Sequence, residues 1–343
     1  MSPPSSIPTR KLGKNGPQVP AIGLGLMGLS IFYGPVASEE ERLAFLDKAY
    51  ELGQTNWDSS DFYGDNEDLL GKWFARNPDK RPHIFLATKF GFVAQPGGPP
   101  KIDSSPAYVR TALEKSLQRL GLPSVDLYYC HRLDGVTPVE KTMQALVELK
   151  NEGKIKYIGL SECSAASLRR ACAVAHVDAV QIEYSPFSLD IEDPRIGLLA
   201  ACRELGVATV AYSPLGRGML SGKIRSPDSL EAGDLRRMLP RFTAENWPKN
   251  LALVDKIEQL AQEKGVTATQ LTLAWLLAQG DDIIPIPGTT KVDRVMENLE
   301  AAKVVLTKED VERVRKACDE ATIHGGRYPD AMAAMMFIDT PEL

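Results

Sequence analysis

Short apolar runs alternate with amphipathic stretches along almost the whole chain. Leu43, Leu46 and Tyr50 recur at helical spacing; Ser38 with Glu41 three residues later predicts a capping box ahead of them, and Gly53 closes the segment. The run TNW then leads to Asp58. A helix is expected over about 66–75, followed by the apolar run HIFLAT. PAYVRTALEKSLQRLG opens on Pro106, stops at Gly121 and carries Val109, Leu113, Leu117 and Leu120 as its buried stripe.

The alternation continues. VDLYYC precedes a helix expected to take Thr137 as cap, with Glu140 completing the box; KIKYIGL precedes SAASLRRACAVA; DAVQIEY precedes a helix near 196–205. VATVAY is followed by a long loop and by helical segments at 248–264 and 267–279. DIIPIP and a helix at 292–302 complete the series, and a last helix at 307–322 stands outside it. With AIGLG as the first strand there are eight strand–helix units of about 30 residues, the size of a βα repeat. Short, continuously apolar strands suit a parallel sheet covered on both faces. The expected fold is a single α/β domain over 1–343, a (β/α)8 TIM barrel. An N-terminal β-hairpin at about 9–22, an extra C-terminal helix and a C-terminal lid or tail at about 323–343 are added to it. AQPGGPP, at 94–100, reads as a loop above the third strand.

Composition narrows the class. The chain has 343 residues, 43% hydrophobic and 25% charged, as in globular proteins. A net charge of −5 gives no reason to expect nucleic acid or a membrane surface as partner. No stretch approaches the length of a membrane span, and MSPPSSIPTRK lacks an apolar signal core. The five cysteines include no CxxC pair and are expected to be reduced and buried in a cytoplasmic protein. No His/Cys/Asp spacing makes a metal-ligand set. Oligomeric state is open, from monomer to homo-oligomer.

In such a barrel, chemistry collects at the C-terminal strand ends. Those ends deliver Asp58 with Tyr63 five residues on, Lys89, His131, Ser161 with Glu162, Gln181, Tyr212 before SPLGRG, and PGTTK before Arg294. Four of these fit one reaction. Reducing a carbonyl takes a hydride at carbon and a proton at oxygen. A phenol holds its proton up to about pH 10, and a nearby ammonium makes it a better donor. An aspartate can hold that ammonium in place, and a histidine can orient the carbonyl. Tyr63, Lys89, Asp58 and His131 supply these parts.

NWDSSDFYG, ATKFG, LYYCHRLD, IGLSE, QIEYSPF, AYSPLGRG and IPGTTKVDRVMENL together resemble the aldo-keto reductase family, in order, from about residue 10 to 319. MGLS, the long loop after the seventh strand and IPGTTK look like those of a YakC-like branch of microbial and plant reductases within that family. The resemblance implies NADPH/NADP+ as cofactor and an aldehyde or ketone as small-molecule substrate. It makes Tyr63 the general acid, Lys89 and Asp58 its tuning pair and His131 the carbonyl-orienting residue. Ser161, Glu162 and Gln181 would hold the nicotinamide carboxamide, and Tyr212 would stack on the ring beside Gly25 and Met27. Ser213, Pro214, Leu215, Gly216, Arg217 and Gly218 would line the pyrophosphate. Pro287, Gly288, Thr289, Thr290, Lys291 and Arg294 would surround the 2′-phosphate, with Glu297 and Asn298 near adenine. Three positions depart from the common pattern, one of them Ser59, where Thr is common. Many members have Asn where Glu162 stands, and many carry a basic residue at Gly288.

GLGLMG, at 23–28, fits a dinucleotide GxGxxG, but LSIFYGP intervenes before any helix, so it is read as the first strand's rim. Phe32, Tyr33, Phe90, Phe92 and Arg132 are the expected substrate-pocket residues, with Phe187 and Met219 as further candidates. His83 and His176 are expected to be structural. The same resemblance admits a second function, a channel-subunit-like NADPH-binding regulatory or redox-sensing barrel with slow turnover. The absence of a long segment ahead of the hairpin argues against it.

Overall fold

The computed structural model describes residues 7–95 and 97–343. Part of the N-terminal stretch read for a signal, and Pro96 of the 94–100 loop, lie outside the described residues. A hairpin of β1 (Thr9–Lys11) and β2 (Gln18–Pro20) comes first. The barrel strands are β3 (Leu24–Gly25), β4 (Asn56–Asp58), β5 (Phe85–Phe90), β8 (Val125–Cys130), β9 (Ile155–Ser161), β10 (Ala179–Glu183), β11 (Ala208–Tyr212) and β12 (Ile283–Pro285). They form one parallel eight-stranded sheet in chain order. Its ends meet: Gly23 N donates to Pro285 O at 2.9 Å, and Gly25 bridges Gly288. The expected eight-unit barrel is present.

Helices α1 (Glu39–Glu51), α2 (Asn66–Arg76), α3 (Pro106–Leu120), α4 (Val139–Asn151), α5 (Ala165–Val174) and α6 (Leu198–Leu205) form the first part of the outer layer. They are followed by α7 (Asn246–Lys264), α8 (Ala268–Leu277) and α9 (Val292–Ala301). α10 (Lys308–Glu320) and a short α11 (Asp330–Ala333) come last. The Ser38–Glu41 capping box forms as expected. The Thr137 cap does not. Asp134 engages the backbone N–H and hydroxyl of Thr137, Pro138 takes the cap position, and Glu140 pairs with Arg170 instead.

Alternation along each strand separates two cores. Leu127, Tyr129, Ala179, Val210 and Ile284 fill the barrel interior, while Tyr128, Ile158, Val180 and Ile182 face the helices. Gly159 makes room for the Tyr129 ring; a Cβ there would lie 2.2 Å from it. The hairpin closes the bottom. Arg10 donates to the carbonyls of Leu277 and Ile283, and Lys14 N donates to Gly206 O. The opposite, top end of the barrel is therefore the open one.

The stretch expected as a loop at 94–100 is partly a hairpin. β6 (Phe92–Gln95) and β7 (Gly98–Ile102) pair antiparallel and stand over the third strand. Gly98, Pro99 and Pro100 lie within β7 itself, and glycines and prolines in a strand are why the segment reads as irregular.

Candidate active site

The first group stands where β4, β5 and β8 end. The turn after Asp58 is held from below. Ser59 Oγ donates to Asn66 Oδ1 at 2.6 Å, and Arg119 Nη1 donates to Asp61 O at 3.1 Å. This turn carries Tyr63 back over the rim. Lys89 points into the barrel, fully buried; its Nζ donates to Asp58 Oδ1 and, at 2.5 Å, to Ser59 O. It also lies 5.0 Å from the centre of the Tyr63 ring. Gln181, on β10, three strands further round the barrel than Lys89, donates from Nε2 to Asp58 Oδ2 at 2.7 Å. His131 stands edge-on to Tyr63, with ring centres 5.9 Å apart. Its Nδ1 is 3.2 Å from Ser60 Oγ.

Electrostatics follow from burial. Burial raises the Tyr63 phenol above its ordinary value, and Lys89 only partly offsets this. Lys89 acts to lower the Tyr63 value, as the residue pattern suggested, but by less than burial raises it. Burial works against the Lys89 charge, but Asp58 and Tyr63 outweigh it and hold the ammonium protonated. Burial, helped by the charges of Arg132 and Lys89, pushes His131 well below its ordinary value. The arrangement offers a protonated phenol and a neutral imidazole around one point, backed by a buried ion pair.

The second group follows β9 to β12. Ser161 Oγ accepts from Arg132 Nη1 at 3.2 Å. Glu162 is fully buried; Tyr212 Oη donates to it at 2.6 Å. The Tyr212 ring is half-buried, with its phenol 3.1 Å from Tyr328 Oη. Glu162, Ser213 and Arg217 all have left-handed φ, at 51°, 48° and 54°. Non-glycine residues adopt such values at a cost that functional sites tolerate. Gly216 and Gly218 are left-handed too, and they shape the turn that follows Tyr212. At β12, Thr289 and Asn298 are buried, while Lys291 heads α9, where backbone N–H groups open toward solvent. Glu297 pairs with Lys223 at 3.0 Å, tying α9 to the long loop after β11. That loop also meets the first rim loop. Leu235 N donates to Phe32 O, and Arg236 lies over the Tyr33 ring.

The expected substrate residues divide. Phe92 stands beside His131, with ring centres 4.8 Å apart, and stacks on Phe62. Phe90 is not in the mouth. It follows the inward-pointing Lys89, so strand alternation turns it outward to pack on Tyr128, fully buried. Phe187 and Met219 are likewise core residues. Arg132 is buried against the His131 carbonyl at 2.6 Å. Phe32 and Tyr33 lie where the first rim loop meets the long loop after β11.

Geometry adds residues that the pattern did not single out. Ser60 bonds His131, Phe62 backs Phe92, and Arg327 and Tyr328 reach the rim from beyond α10. The residues after α10 run across the barrel mouth. His324 N donates to Asn250 Oδ1, Ile338 N to Glu162 O, and Arg170 to Thr340 O. Ser60 lies inside a block already noticed; nothing in the spacing of Arg327 links it to Glu162.

The model of the aldo/keto reductase family matches residues 21–319. The chain belongs to this family. It is 53% identical over 341 residues to the Schizosaccharomyces pombe protein named aldo-keto reductase yakc [NADP(+)], covering 98% of this chain and 99% of that one. It is 50% identical over 342 residues to aldo-keto reductase str7 of Strobilurus tenacellus, with the same coverage. Among solved structures it resembles the glycerol dehydrogenase AKR11B4 of Gluconobacter oxydans. That match has a TM-score of 0.81 and 26% identity over 93% of this chain and 97% of that one. It also resembles the thermostable aldo-keto reductase Tm1743, solved with the inhibitor epalrestat. There the TM-score is 0.72 and the identity 29%, over 91% of this chain and all of that one.

Proposed function

We propose that this aldo-keto reductase reduces an aldehyde or ketone to an alcohol with NADPH. The observation that carries the reading is the buried Lys89–Asp58 pair beside Tyr63 and His131, linked by Gln181 to the rim where a nicotinamide fits.

The residues present suit the cofactor. Glu162 Oε2 and Arg217 Nη2 are buried without a hydrogen-bond partner among the described residues. Buried polar atoms of this kind call for a ligand. Gln181 spends its amide donor on Asp58 and keeps its carbonyl for a carboxamide N–H. Ser161, Glu162 and Gln181 hold the carboxamide, and Tyr212 lies under the ring beside Gly25 and Met27. The turn from Ser213 through Pro214 and Leu215 to Gly218, with Arg217, receives the pyrophosphate. Thr289, Thr290, Lys291 and Arg294, next to Pro287 and Gly288 at the start of α9, receive the 2′-phosphate. Asn298 and Glu297 flank adenine. The NADP(+) in the name of the fission-yeast relative supports this preference.

Bound NADPH supplies the hydride. Tyr63 keeps its proton until the carbonyl oxygen gains charge, then donates it; Lys89 stabilises the phenolate left behind. In the tautomer in which His131 Nδ1 accepts from Ser60, Nε2 carries the proton that would meet the carbonyl oxygen. Phe62 and Phe92 offer an apolar wall to the substrate. All five cysteines are free thiols, which fits a reducing, cytoplasmic setting.

The test is steady-state NADPH consumption with 4-nitrobenzaldehyde. Sustained turnover supports the enzyme. Tight NADPH binding with almost no turnover supports the regulatory, redox-sensing barrel instead.

A further inference from the structure

Arg327 lies outside the eight repeating units and returns to their rim. Its Nη2 donates to Glu162 Oε1 and, at 2.9 Å, to Tyr212 Oη; its Nε donates to Glu183 Oε2 at 3.2 Å. Arg327 and Glu162 are 4% and 0% exposed. Glu183 has other cations, Arg241 at 3.4 Å and Arg217 at 3.8 Å. Glu162 has no second one: among the described residues, Arg327 is the only cation within ion-pair distance of its carboxylate. Arg132 acts on Glu162 from farther away.

A fixed charge at this place has a directional effect. An oxidised nicotinamide ring is a cation and a reduced one is neutral. A lone buried carboxylate beside the ring therefore favours the oxidised cofactor, and a lone guanidinium disfavours it. A neutral pair does neither. Asn at this position, as the sequence comparison of blocks leads one to expect, carries no charge to balance. Glu162 does, and the balancing charge comes from the far end of the chain.

We propose that Arg327 is the counter-ion of Glu162, and that this pair sets the relative affinity of the site for oxidised and reduced cofactor. The proposal rests on the nicotinamide seat described above. Arg327 is a positioning residue. It occupies Glu162 Oε1 and the Tyr212 phenol, which leaves Glu162 Oε2, without a partner, to accept from the carboxamide. Without Arg327 the seat becomes a trap for the oxidised product, and product release slows. The segment after α10 thus tunes the cofactor as well as covering the mouth.

The experiment measures dissociation constants of NADPH and NADP+ separately, by fluorescence titration and calorimetry, with no substrate present. Arg327→Met is expected to shift the affinity ratio toward NADP+ by at least about tenfold, the effect that one unit charge has even at about 12 Å with an effective dielectric of about 20. Glu162→Gln shifts it the opposite way. Arg327→Lys, and Arg327→Met combined with Glu162→Gln, stay near the original ratio. A structural role alone weakens both nucleotides equally, so an unchanged ratio in both single variants overturns the proposal. If the unsubstituted protein binds neither nucleotide, the seat itself is overturned, and the counter-ion with it.

Discussion

Gln181 Nε2 donates to Asp58 Oδ2 at 2.7 Å, joining a strand at the proposed nicotinamide side to the Lys89–Asp58 pair that backs Tyr63, the proposed proton donor. One side chain thus belongs to both halves of the site. Gln181→Leu is expected to weaken NADPH binding and, separately, to slow hydride transfer, each by about tenfold. Fluorescence titration and single-turnover kinetics separate the two. A variant with weaker binding and an unchanged transfer rate shows that the bond to Asp58 does not matter to the chemistry.

The Lys89–Asp58 pair is buried on both sides. Lys89→Met leaves a carboxylate without its cation, at a cost of about 3–5 kcal/mol in stability. Adding Asp58→Asn removes the stranded charge and recovers most of the loss, while reductase activity stays absent. Denaturant unfolding of the unsubstituted protein and the two variants checks this; no recovery in the double variant contradicts it.

Much of this was legible in the sequence, for physical reasons that differ by region. The barrel strands are apolar on both faces and their helices carry clear stripes, so the alternation survives in one chain read alone. Asp58, Lys89, His131 and Gln181 sit at strand ends, where order along the chain is also order around the rim. Phe90 and Phe92 were harder. They lie two residues apart, but Gly91 turns the chain between them at φ 130°, so period-two reasoning across it fails. Arg327 was not legible at all. Its contacts with Glu162 span 165 positions, and nothing local predicts them.

The two phenylalanines give a direct contrast. Phe90→Ala empties a packed site against Tyr128 and is expected to cost about 3–5 kcal/mol of stability. Phe92→Ala, beside His131, leaves stability within about 1 kcal/mol and raises KM for aromatic aldehydes. Thermal unfolding with steady-state kinetics distinguishes them; the reverse pattern places Phe90 in the pocket.

Stability should depend on pH through Asp61. Burial and the nearby Glu67 push its carboxyl up to about 8, above the unfolded value. A raised folded value means that the contribution is complete below the unfolded value and is lost as pH rises through about 8. Relative to Asp61→Asn, the unsubstituted protein is expected to lose about 4 kcal/mol between about pH 5 and about pH 9. Parallel unfolding curves for the two proteins across that range contradict this.

The rate should be flat over a wide pH range. Burial holds Tyr63 protonated beyond its ordinary value, and burial with Arg132 and Lys89 keeps His131 neutral below its own. The expected kcat/KM for reduction is constant from about pH 6.5 to about pH 10 and falls above it. A decline centred near neutrality assigns the proton to another group.

The most direct measurement replaces the phenol itself. Tyr63→Phe keeps the ring beside His131 and removes only the hydroxyl. NADPH should bind with its original affinity, while carbonyl reduction falls by at least about a thousandfold. A Tyr63→Phe protein that reduces 4-nitrobenzaldehyde at the original rate contradicts the account.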